Sequence, residues 1–284
     1  MSLSLVTRRG FTLLEVTVTM VLLGLVSAAV YRVLLTQQRL TQLQVERMSL
    51  QANLRAGLGL LTAELQEIAV DSAGSDLQAL GPDSITYRAM RTTAFACEVS
   101  GTNVRISARS FGYRRPQAGR DSLLLFVEGD STIATDDRWV AAPITAVSSG
   151  TACAGRPAVD LATAIDLTAV PLTTIQLDAP IRTFEVMQLK LYSSGGRHWL
   201  GARSLSAGEI IQPVLGPLTA TGLTLTYADS AGAPTGDPRR VRSIAVSLHA
   251  VTDRLVRSGA AEGPLALAQD SGVALVTLRN APTF

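Results

Sequence analysis

From Phe11 to about Tyr31 the chain is apolar on every side of a helical projection, and from there to about Ile68 the apolar positions narrow to a stripe. Leu40, Leu43, Leu50, Leu54, Leu58, Leu61, Leu65 and Ile68 recur at three- and four-residue spacing with Arg47 in the same register, and Gln37, Gln38, Gln42, Gln44, Gln51 and Gln66 fall largely between them. The span has no proline, and its glycines are Gly24, Gly57 and Gly59. This pattern predicts one long helix, ending near Val70 where Asp71-Ser-Ala-Gly-Ser-Asp76 supplies stop and loop chemistry. Such a helix is on the order of 85 Å long, against a hydrocarbon layer of roughly 30 Å. Its first half therefore suits a bilayer, and its striped second half must pack against something outside one.

Past the helix the period changes to two. Ser84 to Met90, Val104 to Arg109, Ser122 to Val127, Thr173 to Leu177, Phe184 to Tyr192 and Val241 to Val251 are short runs rich in branched or aromatic residues, several with alternation. Met187 to Tyr192 and Arg197 to Leu200 flank Ser193-Ser-Gly-Gly196, a hairpin in which Gly195 and Gly196 can take the positive φ of a tight reversal. Ile244, Val246 and Leu248 should face inward and leave His249 outside. Breaker-rich loops are expected at Ala228 to Pro238 and Ser258 to Pro264. The expected class is α+β, with a helical spine packed on a largely antiparallel sheet.

Composition adds limits. At 284 residues the chain holds one large or two small domains. Its apolar content of 47% and mean hydropathy of +0.27 are raised by the N-terminal helix and by abundant alanine. A formal charge of +2 is too mild to announce a nucleic-acid binder. Lys190 is the sole lysine, so the basic side chains are arginines suited to fixed pairing with carboxylates. With Cys97 and Cys153 as the two cysteines, one intramolecular bridge is possible, and two separate buried thiols are the alternative. No metal site is expected, because His198 and His249 show no ligand spacing with either cysteine. Asp136 and Asp137 beside Trp139 read as a solvated turn in preference to a calcium loop. No phosphate loop, GxSxG elbow, HExxH or Cys-x-x-Cys appears, so neither catalysis nor a cofactor is expected.

The opening residues carry the most specific signal. Arg8-Arg9-Gly10-Phe11-Thr12-Leu13-Leu14-Glu15 leads straight into the apolar run, so one carboxylate enters a segment otherwise fit for lipid. A charge at the centre of a membrane helix costs roughly 2.5–3.5 kcal/mol on insertion scales, which makes such an acid a functional residue with a partner. An ordinary secretory signal cleaved near Ser27-Ala-Ala29 leaves Glu15 unexplained, as does a plain single-span anchor, and a buried core helix leaves the basic leader unexplained. Arg8 and Arg9 place the leader on the cytoplasmic side and everything after about Tyr31 beyond the inner membrane, where disulfides can form.

This order of features resembles the class III signal of type IV pilins and pseudopilins. The resemblance implies cutting by a prepilin peptidase between Gly10 and Phe11, methylation of the new amine, and pairing of Glu15 with the Phe11 amine of its own or a neighbouring subunit. The remainder is similar to PilW-like long minor pilins through Leu58-Gly-Leu-Leu-Thr-Ala-Glu-Leu65, Asp121-Ser-Leu-Leu-Leu-Phe126, Gly222-Leu-Thr-Leu-Thr-Tyr227, Val241-Arg-Ser-Ile-Ala-Val-Ser-Leu248 and Val276-Thr-Leu-Arg-Asn280. Many major pilins carry a kinking proline near the position of Arg32, and its absence points to a minor component.

The implied organisation is a leader (1–10), a membrane or filament-core segment (11–31), an amphipathic segment (32–70) and an extracytoplasmic β-rich head (71–284). Implied partners are the peptidase, other major and minor pilins, the inner membrane before assembly and the pilus assembly platform, with the pilus or cell surface as the final location. The alternatives are a J-like minor pseudopilin of type II secretion and, in another class, an anchored adhesin or binding module. Phe111-Gly-Tyr-Arg-Arg-Pro-Gln-Ala-Gly-Arg120 mixes aromatics with Arg114, Arg115 and Arg120 and is a candidate DNA or partner contact. A charge cluster in a loop is more often a solvated face or a subunit contact.

Overall fold

The computed structural model describes residues 12–70, 75–130, 132–133, 137–153, 155–168, 178–257 and 264–279. Helix α1 (Leu13–Gln66) is followed by strands β1 (Leu77–Leu80), β2 (Ser84–Ser100), β3 (Asn103–Ser107), β4 (Phe111–Gly112), β5 (Ser122–Val127), β6 (Arg138–Cys153) and β7 (Arg156–Thr163). Then come β8 (Pro180–Ser194), β9 (Arg197–Ser204), β10 (Gln212–Ala228), β11 (Ser243–Val251), β12 (Val256–Arg257), β13 (Leu265–Ala266) and β14 (Gln269–Thr277). The chain divides into two units.

The first unit holds the described part of α1 as far as Ser49 together with Thr252–Ala268. Thr252 closes the base of that second segment: its amide donates to the Ala268 carbonyl at 2.9 Å, and its hydroxyl accepts from the Ala268 amide at 3.0 Å. β12 and β13 pair above this closure. Leu40 and Leu43 of the helix face Leu255, Val256 and Leu265 across an apolar groove of about 220 Å³.

The second unit holds α1 from Leu50 onward and the large sheet. Leu50, Leu54, Gly57, Leu61 and Leu65 form the buried face of the helix here, so the stripe read from the sequence is the packing face. The four leucines join Ile85, Tyr87, Leu200, Leu223, Ile244, Val246, Leu248 and Val276 in one core between helix and sheet. The sheet has 12 strands in the order β1-β2-β3-β7-β6-β5-β8-β9-β10-β11-β14, with β4 on the flank of β2. All its pairings are antiparallel. The long helix packed on an antiparallel sheet is an α+β, pilin-like arrangement.

β2 also pairs with β8, so the path β2-β3-β7-β6-β5-β8 closes on itself. This ring encloses a second core of small and branched side chains, among them Ala94, Val104, Ile106, Leu123, Leu125, Ile144, Leu161 and Ile181. Closure removes free strand edges from this part of the sheet. β2 and β6 are long enough to take one partner in their first halves and another in their second.

The helix ends at Gln66, four residues before the expected Val70. Asp76 explains the early stop: its carboxylate accepts from the Ala69 amide at 3.0 Å, and its own amide donates to the Ala69 carbonyl at 2.9 Å. Ile68 and Val70 stay buried as an extended continuation of the stripe. The Met187–Leu200 hairpin forms with Ser194 opposite Arg197, and Gly195 (φ 61°) and Gly196 (φ 75°) make its two-residue turn. Ile244, Val246 and Leu248 point inward, and His249 is exposed. β3 stops at Ser107, two residues short of the expected end. The strand expected at Thr173 to Leu177 lies outside the described residues, as does nearly all of the loop expected at Ser258 to Pro264.

Candidate functional site

At the start of α1, Thr12 precedes the first helical residue and its hydroxyl accepts from the Glu15 amide at 3.3 Å. Thr12-Leu-Leu-Glu15 is therefore a capping-box sequence, with the acid at the third helical position. The spacing Thr-x-x-Glu was the available signal for this cap, which the reading of Glu15 as a lone membrane acid passes over. Glu15 also stands in the first turn, where the partial positive charge of the helix N-terminus favours an anion by about 0.3–1 kcal/mol when exposed. Its side chain is exposed, and no described side chain pairs with it. Gly10 and Phe11 lie outside the described residues.

Two threonines in the apolar stretch that follows turn their hydroxyls back onto the backbone. Thr17 donates to the Leu14 carbonyl at 2.8 Å, and Thr19 to the carbonyls of Glu15 and Val16, each at 2.9 Å. Such back-bonding removes hydroxyl donors that lipid cannot satisfy. Between Thr12 and Arg32 the only ionisable side chain other than Tyr31 is Glu15. Leu13, Leu14, Met20, Val21, Leu23 and Leu25 are all exposed, so this stretch presents an apolar surface around one carboxylate. By length and composition the helix is able to cross a membrane.

Cys97 on β2 and Cys153 on β6 are joined by a disulfide, with their α-carbons 5.8 Å apart and a sequence separation of 56. The bridge ties the second halves of two strands that pair with β3 and β7 and do not pair with each other.

Arg114 and Arg120 do not offer free charge to a polyanion. Arg114 forks onto Asp121 through two hydrogen bonds of 2.5 and 2.6 Å, and it reaches Glu185 at 3.4 Å. Arg120 donates to Glu185 at 2.6 Å and to Glu209 at 2.5 Å. Arg91 approaches the other Glu185 oxygen at 2.5 Å and Glu64 of the helix at 3.7 Å, and the Tyr87 hydroxyl donates to Glu64 at 3.2 Å. The Glu185 side chain is 3% exposed and that of Asp121 0%. Burial alone would raise the Glu185 carboxyl, but hydrogen bonds and charge from Arg91, with further bonds from Arg120 and Ser204, hold it below its ordinary value. Burial together with the Glu64 charge pushes the Tyr87 phenol well up. These groups fasten the β4–β5 loop to the sheet and the helix, so Arg114 and Arg120 are structural cross-links. Of the loop arginines singled out by sequence, Arg115 has the exposed side chain.

Other acids resolve locally. Asp160 pairs with Arg105 at 2.8 Å, Asp166 turns back onto Thr168, and Asp137 accepts from the Gly129 amide; Asp136 is outside the described residues. Among the described residues no cluster of three potential ligands is placed to hold a metal.

Residues 6–31 match the family of the prokaryotic N-terminal methylation motif. No curated protein and no solved structure matches the chain. The matched stretch begins inside the leader, ahead of Arg8-Arg9-Gly10, and covers Glu15 and the exposed apolar part of the helix as far as Tyr31. This N-terminus thus carries a type IV pilin-like prepilin signal, which implies processing by a prepilin peptidase and assembly with other pilins.

Proposed function

We propose that the protein is a minor prepilin, a non-catalytic structural and assembly-priming subunit of a type IV pilus or related filament. One observation carries the reading: the methylation motif over residues 6–31 runs unbroken into a helix whose sole acid in the membrane-length segment stands in its first turn. On this reading the peptidase cuts between Gly10 and Phe11, and the new amine, held cationic, lies four residues ahead of Glu15. Pairing the two, within one subunit or between neighbours, offsets the burial of the carboxylate when the helix enters the filament core. The exposed leucines and valines from Leu13 to Val30 then supply packing surface between helices. The sheet-bearing head, more than 200 residues with a ring of strands beside the helix-packed core, supports a specialised subunit over a repeating shaft subunit.

Intact-mass analysis and N-terminal sequencing of protein recovered from its native membrane test the reading. The expected product begins at N-methylated Phe11. Material that keeps residues 1–10, or that begins beyond Ala29, overturns it. Cross-linking to neighbouring subunits then separates a pilus component from a J-like minor pseudopilin, since the recovered partners belong to one machine or the other.

A further inference from the structure

A polar groove of about 500 Å³ opens on the sheet side of the second unit, lined by β2, β5, β6 and β8 and by the segments around Asp76 and Asp237. The Ser75 hydroxyl donates to the Pro238 carbonyl at 2.9 Å and joins those two segments, so the wall is a built feature of the fold. Arg182 and Arg239 line the groove, and neither has a carboxylate partner among the described residues. Arg182 lies over the Trp139 ring at 5.3 Å, and Phe126 props that ring edge-on at 5.5 Å. Arg138 and Arg88, the latter 4.0 Å from Asp76, add positive charge, and Asp237 adds an acceptor.

We propose that this groove binds an acidic sugar unit, a pyranose ring bearing a carboxylate. The arginines suit a carboxylate through paired, charge-assisted hydrogen bonds. Arg182 covers one face of the Trp139 indole, so the ring gives a sugar's C–H groups apolar wall only through its remaining surface, while Asp237 and Gln78 in the lining take hydroxyl donors. A chain of phosphates fits less well, because Asp76 and Asp237 stand in the same lining as the arginines and repel a second and third negative charge. The volume is that of a small-ligand site, enough for one or two rings. The groove does not depend on the N-terminal signal, so the two readings stand or fall separately.

The test uses the full chain in detergent micelles, titrated calorimetrically with trigalacturonate, with maltotriose as the neutral trisaccharide, with inorganic phosphate and with a short DNA duplex. Arg239→Gln, on an exposed loop, and Arg182→Gln, on β8, are the variants, each checked for an intact disulfide and unchanged circular dichroism. Trigalacturonate is expected to bind saturably and at least about tenfold more tightly than maltotriose or phosphate, and each variant should weaken it by about tenfold or more. No saturable binding of trigalacturonate, or equal affinity in Arg239→Gln, overturns the site. Tighter binding of DNA or phosphate than of the acidic sugar overturns the ligand assignment.

Discussion

Replacing Glu185 with Gln should uncouple the loop, the sheet and the helix at their common charge. Its carboxylate accepts from Arg91 at 2.5 Å and from Arg120 at 2.6 Å and has Arg114 at 3.4 Å, while its side chain is 3% exposed. The amide of Gln keeps the shape but loses the charge, and it brings an N–H₂ group toward guanidinium donors. Arg91, Arg114 and Arg120 are themselves 12%, 24% and 29% exposed, so they cannot all turn into water without leaving their other partners. Removing one member of such a buried pair costs about 3–5 kcal/mol. Urea unfolding in micelles reads this through Trp139 and Trp199, which both belong to the sheet-bearing unit. We expect a loss of about 3 kcal/mol, the low end, because the arginines keep Asp121, Glu64 and Glu209. A loss below about 0.5 kcal/mol would refute the argument and place the network with solvent-screened surface pairs.

The same carboxylate fixes a pH dependence. Its folded-state pKa lies below the ordinary 4.5, so the unfolded chain binds the proton first as pH falls. Stability from this group is complete above 4.5 and declines as pH drops through the window beneath it. Wild type should lose stability across that window, and Glu185→Gln should lack this component of the slope.

Three other perturbations probe separate links. Gly57→Val should destabilise the second unit by about 1–3 kcal/mol, since a β-carbon there runs into the Leu215 side chain and meets Leu248 at 3.2 Å; Gly59→Ala, with nothing within 4 Å, should be neutral or stabilising by up to about 1 kcal/mol, and equal unfolding midpoints for the two would remove the packing argument. Replacing both Cys97 and Cys153 with Ser should cost about 4 kcal/mol on the chain-entropy estimate for a loop of about 56 residues, measured by denaturation under non-reducing conditions, and an unchanged midpoint would mean that strand pairing around the ring suffices to hold these strands. Glu15→Ala should leave membrane insertion intact and lower incorporation into filaments, scored by immunoblot of sheared filaments against total membrane protein, and equal incorporation would remove the carboxylate–amine pairing.

The helix was legible because apolar spacing reports which face is buried: the residues from Leu50 to Leu65 that recur every three or four positions are those that pack on the sheet. β6 and β10 were not legible, and their breakers explain why. Pro143 and Gly150 in β6, and Pro213, Gly216, Pro217 and Gly222 in β10, read as interruptions. The structure uses such positions where the register shifts, between Ile144 and Ala146 in β6 and from Pro213 to Leu223 in β10. A strand that bends through bulges loses its two-residue period without losing its identity. The arginine loop poses a different problem. Its composition is that of a nucleic-acid contact; Arg114 finds a local acid in Asp121, but Glu185, which holds Arg120, lies 65 residues away in sequence, and no local pattern announces such a partner.

The two halves of α1 answer to different solvents, and the divide falls inside one unbroken helix. From Leu50 to Leu65 the chain provides its own apolar partners, so this half is stabilised by tertiary packing as in any globular protein. From Leu13 to Val30 the leucines and valines are exposed, and the hydroxyls of Thr17 and Thr19 are turned back onto the backbone. Such a surface is stable only where the surroundings are apolar: lipid, or the same surface on neighbouring subunits. Both surroundings tolerate every side chain of this stretch except Glu15. The first offers the carboxylate water and headgroups near the helix start, whereas the second offers neither and therefore demands a cation. A chain that exchanges one surrounding for the other consequently needs a positive group close to residue 15, and removal of the leader at Gly10 would create one at the nearest covalent position available.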